Sequence, residues 1–141
     1  MKNFLAMLCL LGAVSQAQAC SVRVITSSPQ VKSMAPINFS KHNLLCERLR
    51  KENAALLISG DAGVLDGISI AWAVVGIVDK DGAIFTSSGS GSNTRIGAQG
   101  SMDEAGNLLV QVINESIRGM DLELAVTSLN RSRGQVKAVK K

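Results

Sequence analysis

The sequence predicts an α+β fold: a small two-layer sandwich with a mainly antiparallel sheet of about five strands and two helices on one face. Three observations lead there. Two stretches repeat apolar residues at helical spacing, several shorter runs are patterned as strands, and turn signals separate the strands closely enough for hairpins. Length agrees. Of 141 residues, the first nineteen (MKNFLAMLCLLGAVSQAQA) read as a secretory signal peptide. Lys2 is its positive start, residues 4–14 its apolar centre and Ala17-Gln18-Ala19 its small-x-small cleavage site. The apolar run is too short to span a bilayer, which takes about 20 residues. Removing 19 residues from 141 leaves 122, enough for one domain with a modest core. The expected organisation is a signal at 1–19, a single domain at 20–130 and a basic tail at 131–141.

Each element has its own signal. Residues 21–26 (SVRVIT) alternate and predict a first strand. Residues 27–39 hold both prolines and no period, which predicts a loop. Ser40 is positioned to cap a helix over 41–53, with Leu44, Leu45 and Leu49 on one face and Arg48, Lys51 and Glu52 toward solvent. A short apolar run at 55–59 precedes a turn-rich stretch from Gly60 to Gly67. Residues 68–78 (ISIAWAVVGIV) are apolar on both parities, which predicts a central strand covered on both sides, with Trp72 in the core.

Asp79-Lys80-Asp81-Gly82 then forms a hairpin turn, with Gly82 suited to a positive φ and residues 83–87 as the returning strand. The Ser/Gly-rich stretch that follows, 88–100, reads as a flexible loop. Ser101 and Glu104 match a capping box. The helix they open carries Met102, Ala105, Leu108, Leu109, Val112, Ile113 and Ile117 as one stripe, and Gly119 ends it. Residues 122–127 (LELAVT) alternate and predict the last strand.

Charge and cysteine use narrow the function. Net charge is +4, yet residues 131–141 hold Arg131, Arg133, Lys137, Lys140 and Lys141 with no acid. A slightly acidic body therefore carries a basic tail suited to an anionic surface. Export argues against nucleic acid as a partner, and an aromatic content of 3% argues against stacking on bases or sugar rings. Cys9 leaves with the signal, so Cys20 and Cys46 form the expected disulfide in an oxidising compartment. The alternative is a membrane-anchored lipoprotein acylated at Cys20. Ala17 stands where such sites want an aliphatic residue, and Ser15, Gln16 and Gln18 make the region polar.

No catalytic constellation is legible. The single histidine, His42, lacks the arrangement a Ser-His or Cys-His enzyme needs. Zinc would want three or four ligands from Cys, His and acids. Asp79-x-Asp81-Gly82 resembles only the opening of a calcium loop, and residues 88–100 lack the Lys-Ser/Thr ending of a phosphate loop. Carboxylates such as Asp61, Asp66 and Glu115 leave a polysaccharide-acting enzyme as a further alternative. No catalytic, cofactor or metal residues are expected. The expectation is a small periplasmic or secreted binding protein of the bacterial cell envelope. It would contact a protein partner through an edge strand or through Asn93 and Arg95 of the 88–100 loop, with Arg131 and Arg133 of the tail as further contacts.

Overall fold

In the computed structural model, which describes residues 22–25 and 42–139, the elements follow one another in a simple order. Strand β1 (Val22–Ile25) leads to helix α1 (Asn43–Lys51), then strands β2 (Ala54–Leu65), β3 (Ile68–Asp79) and β4 (Phe85–Gly97), then helices α2 (Met102–Arg118) and α3 (Leu122–Val139). The sheet runs β1-β2-β3-β4; β1 is parallel to β2 and the other pairs are antiparallel. The class is α+β, as expected, but the described residues form four strands and three helices rather than five and two. Neighbouring parallel strands require a crossover. The segment containing α1 supplies it.

The β2–β3 connection corrects the turn-rich reading of 60–67. Only Asp66 and Gly67 form the turn, both at positive φ (49° and 76°), and Leu65 pairs directly with Ile68. An Asp-Gly pair with two positive φ values makes a two-residue hairpin whose twist suits the flanking strands. Gly60 is strand, not turn: a Cβ there would lie 2.6 Å from the Trp72 carbonyl oxygen. The second turn forms as expected, but the returning strand begins at Phe85 rather than at residue 83 and runs to Gly97. Gly82 has φ 74°, its N–H donates to the Asp79 oxygen at 2.8 Å, and the Asp79 carboxylate accepts from Ile84 N at 2.9 Å.

The largest correction concerns 88–100. Most of it is strand β4, paired with β3 from Gly97 opposite Ser69 to Phe85 opposite Val78. Its composition has a packing cause. At Gly91 a Cβ would come within 1.8 Å of the Ser116 carbonyl oxygen on α2, and at Gly97 within 2.3 Å of the Glu104 carboxylate. At Gly91 the obstacle is helix backbone, which leaves no space for a side chain; at Gly97 it is the movable end of Glu104. The register also jumps, from Val75–Gly91 to Ile77–Thr86, so residues 87–90 bulge opposite Gly76. Gly89, at φ 72°, sits in that bulge, and its carbonyl accepts from Asp121 N at 2.9 Å.

Helix α2 forms as its stripe predicts, with Ala105, Leu108, Leu109, Val112, Ile113 and Ile117 buried. Half of the capping box is present: Ser101 Oγ accepts from Glu104 N at 3.1 Å. Ser101 N instead meets the Gln99 carbonyl at 2.9 Å and Ser69 Oγ at 3.2 Å. The predicted final strand at 122–127 is the start of α3. Asp121 caps it, with Oδ1 accepting from Leu124 N at 3.0 Å. Its buried residues are Ala125, Val126 and Leu129, a helical set. The helix continues through residues 131–139 of the predicted tail.

In α1 the buried face is Leu45, Cys46 and Leu49, while Leu44 is 82% exposed, against expectation. The N-cap position is His42, with no side-chain cap bond. The expected Ser40 cap, the loop at 27–39 and the signal at 1–19 lie outside the described residues. Cys46 is buried and disulfide-bonded; its expected partner Cys20 also lies outside them.

Candidate functional site

Side chains alternate across a strand, so the burial pattern of β3 divides the sheet into two faces. Ser69, Ala71, Ala73 and Val75 are buried. With Leu56 and Ile58 of β2, Ala71, Ala73 and Val75 join Leu109, Val112 and Ile113 of α2, and Ala125, Val126 and Leu129 of α3, in one core. Leu45 and Leu49 of α1 belong to the same cluster, so all three helices serve this face.

The opposite face is covered only in part. At one end Ala55 and Val78 are buried outside the main core cluster. Toward the β2–β3 turn the apolar side chains emerge: Trp72 is 42% exposed, Leu65 60% and Ile96 67%, with Ile68 and Val74 also exposed. The register sets them side by side, Leu65 opposite Ile68 and Ile96 opposite Ile70. The expectation of a strand covered on both sides, with Trp72 in the core, therefore fails over residues 68–74. Solvated faces of antiparallel sheets ordinarily carry polar side chains. A cluster of large apolar groups there makes this half-face the candidate contact surface.

The predicted contact residues Asn93 and Arg95 stand in strand β4, on the helix-facing side opposite Ala73 and Ala71. Both reach Glu115 of α2. Arg95 donates through Nε to Oε2 at 3.1 Å and through Nη2 to Oε1, and Asn93 Nδ2 donates to Oε2. Hydrogen bonding from Arg95, assisted by its charge and that of Arg118, holds Glu115 below the usual carboxylate range despite some desolvation. The same bond raises the Arg95 guanidinium pKa. This forked pair fastens the edge strand to the helix layer.

Arg131 and Arg133 lie on α3, far from that pair in sequence. Arg133 donates to the carbonyl oxygens of Glu52 and Asn53, each at 2.8 Å, and so ties α3 to the end of α1. Arg131 is exposed and takes part in no ion pair among the described residues. The structure does not bring the four predicted residues together. It gives three of them internal roles: Asn93 and Arg95 hold Glu115, and Arg133 holds the end of α1.

The acids proposed for polysaccharide chemistry are also separated. Glu115 lies over the helix-covered face, whereas Asp61 pairs in register with exposed Trp72 on the other. Asp66 occupies the β2–β3 turn. A carboxylate held ionised by an arginine is poorly suited to donate a proton as a general acid. Among the described residues no group of three or more His, Cys, Asp or Glu side chains is placed to hold a metal ion. No helix among them is long and apolar enough to cross a membrane.

The open apolar half-face was missed in the sequence: Ile68, Trp72 and Val74 share one parity of residues 68–78, but Leu65 of β2 and Ile96 of β4 join them only through the register. Comparison with known proteins adds no family to this reading: no family model matches the chain, and neither a curated protein nor a solved structure does.

Proposed function

We propose that this is a small exported, non-enzymatic binding protein of the bacterial cell envelope, which holds a protein partner on the open half of its sheet. The observation that carries the reading is the exposure of Trp72, Ile96 and Leu65 on the face that no helix among the described residues covers. Adjacent to it, β4 has no strand partner on its outer side among the described residues. Its backbone groups suit an extended segment of the partner.

A photo-crosslinking residue at Ile96, introduced in the native host, tests this against one at exposed Gln111 on α2. A discrete adduct with one protein from position 96, absent from position 111 and lost with Leu65→Asp, is expected. Equal labelling from both positions, or none from 96, sinks the reading.

The disulfide-bonded state of Cys46 supports a soluble form over the acylated one. Acylation would consume the Cys20 sulfur, and Cys9 leaves with the predicted signal. The intact mass from the native host is expected to begin at Cys20 and to gain two hydrogen atoms on reduction. Added acyl chains would make the protein a membrane-anchored lipoprotein instead.

A further inference from the structure

We infer that the end of the molecule where α1, the β3–β4 turn and α3 meet is a docking surface for anionic phospholipid. Three elements converge on Asn53. Its carbonyl oxygen accepts from Arg133 Nη2 at 2.8 Å and from the Lys80 backbone N–H at 3.0 Å, and it directly follows the last turn of α1. Cations distant in sequence are thereby gathered: Arg50 and Lys51 from α1, Lys80 from the turn, and Arg133 and Lys137 from α3. Arg50, Lys51 and Lys137 are exposed and in no ion pair among the described residues.

The acids nearby do not balance them. Glu52 is engaged by Arg48 and Asn130, and Asp79 is buried with its carboxylate on Ile84 N. Asp81 and Glu47, the latter one turn before Lys51 on α1, are exposed and offset only part of that charge.

The second observation is apolar. The last buried residue of α3 is Leu129, but its stripe continues past the sheet to Val136, 40% exposed, and Val139, 87% exposed. Lys137 borders that stripe one turn beyond Arg133. A helix end with exposed valines beside lysine and arginine has the composition of an interfacial anchor, apolar contact assisted by charge. This surface is separate from the open sheet face, and its test is independent of that reading.

The mature chain is to be sedimented with phosphatidylcholine vesicles, with and without phosphatidylglycerol. Binding only to the anionic vesicles, weakening as salt rises, is expected. The triple variant Arg50→Gln/Lys51→Gln/Lys137→Gln is expected to lose on the order of a hundredfold in partitioning, at about a few-fold per charge near such a surface. These side chains are exposed, so its melting temperature should match the parent. Val136→Asp gives a second, apolar arm and should also weaken binding. Equal binding to neutral vesicles, no binding to anionic ones, unchanged binding of the triple variant, or a preference for RNA over vesicles would each overturn the assignment.

Discussion

Gly91 shows how one missing side chain can set the distance between two layers. The α2 backbone at Ser116 occupies the space a Cβ would need, and backbone cannot give way as a flexible side chain can. Gly91→Ala is expected to destabilise the fold by about 1–3 kcal/mol or more, read as a lower urea midpoint. An alanine at Gly63, where a Cβ would meet nothing, is the control and should cost far less. Glu115 makes a pH-dependent contribution. Its folded pKa is lowered by Arg95, so the stabilisation is full above the unfolded carboxylate pKa and is lost as pH falls through the folded value. The stability gap between the parent and Glu115→Gln should therefore be constant near neutrality and shrink as the solution is acidified below the unfolded carboxylate pKa. A gap that widens on acidification would show that Glu115 is not held as a carboxylate.

Among the elements, α3 depends most on its first turn. Residues 122–127 alternate well enough for a strand, yet Asp121 stands ahead of them as a cap and the buried set is Ala125, Val126 and Leu129. Asp121→Ala should cost about 1 kcal/mol by urea titration, with Asp121→Asn retaining most of it. Helix α2 was legible for the opposite reason: its stripe is long enough that no strand period fits, and Ser101 opens it as predicted. Strand β4 was not legible. Its Ser/Gly content reads as a loop because the information that makes it a strand lies in α2 and α3, whose backbones leave no room for larger residues at Gly89 and Gly91.

For the whole molecule, the three helices among the described residues bury one sheet face, and half of the other carries exposed apolar side chains. The chain has one tryptophan, and it lies on the open half. Its fluorescence is thus a direct report on that surface: Trp72 should be readily quenched by acrylamide in the free protein and protected when the partner binds. Quenching unchanged in the complex would place the partner elsewhere. Cys46 staples α1 at the other margin of the core, and Cys46→Ser should cost about 2–4 kcal/mol under oxidising conditions. Under reducing conditions the difference should vanish.

By itself the sequence determined the class of the fold, helix α2, the apolar β3 segment and the Gly82 turn. Each of these is specified by residues near one another in the chain, through periodicity, capping or a required positive φ. Only the tertiary structure decided that residues 88–97 pair as a strand, that residues 122–127 are helical, and that Trp72 faces outward. It also drew Arg95 to Glu115 and Arg133 to the end of α1. Those outcomes depend on which surfaces meet across the core. Local composition permits either answer, and burial against a distant neighbour selects one.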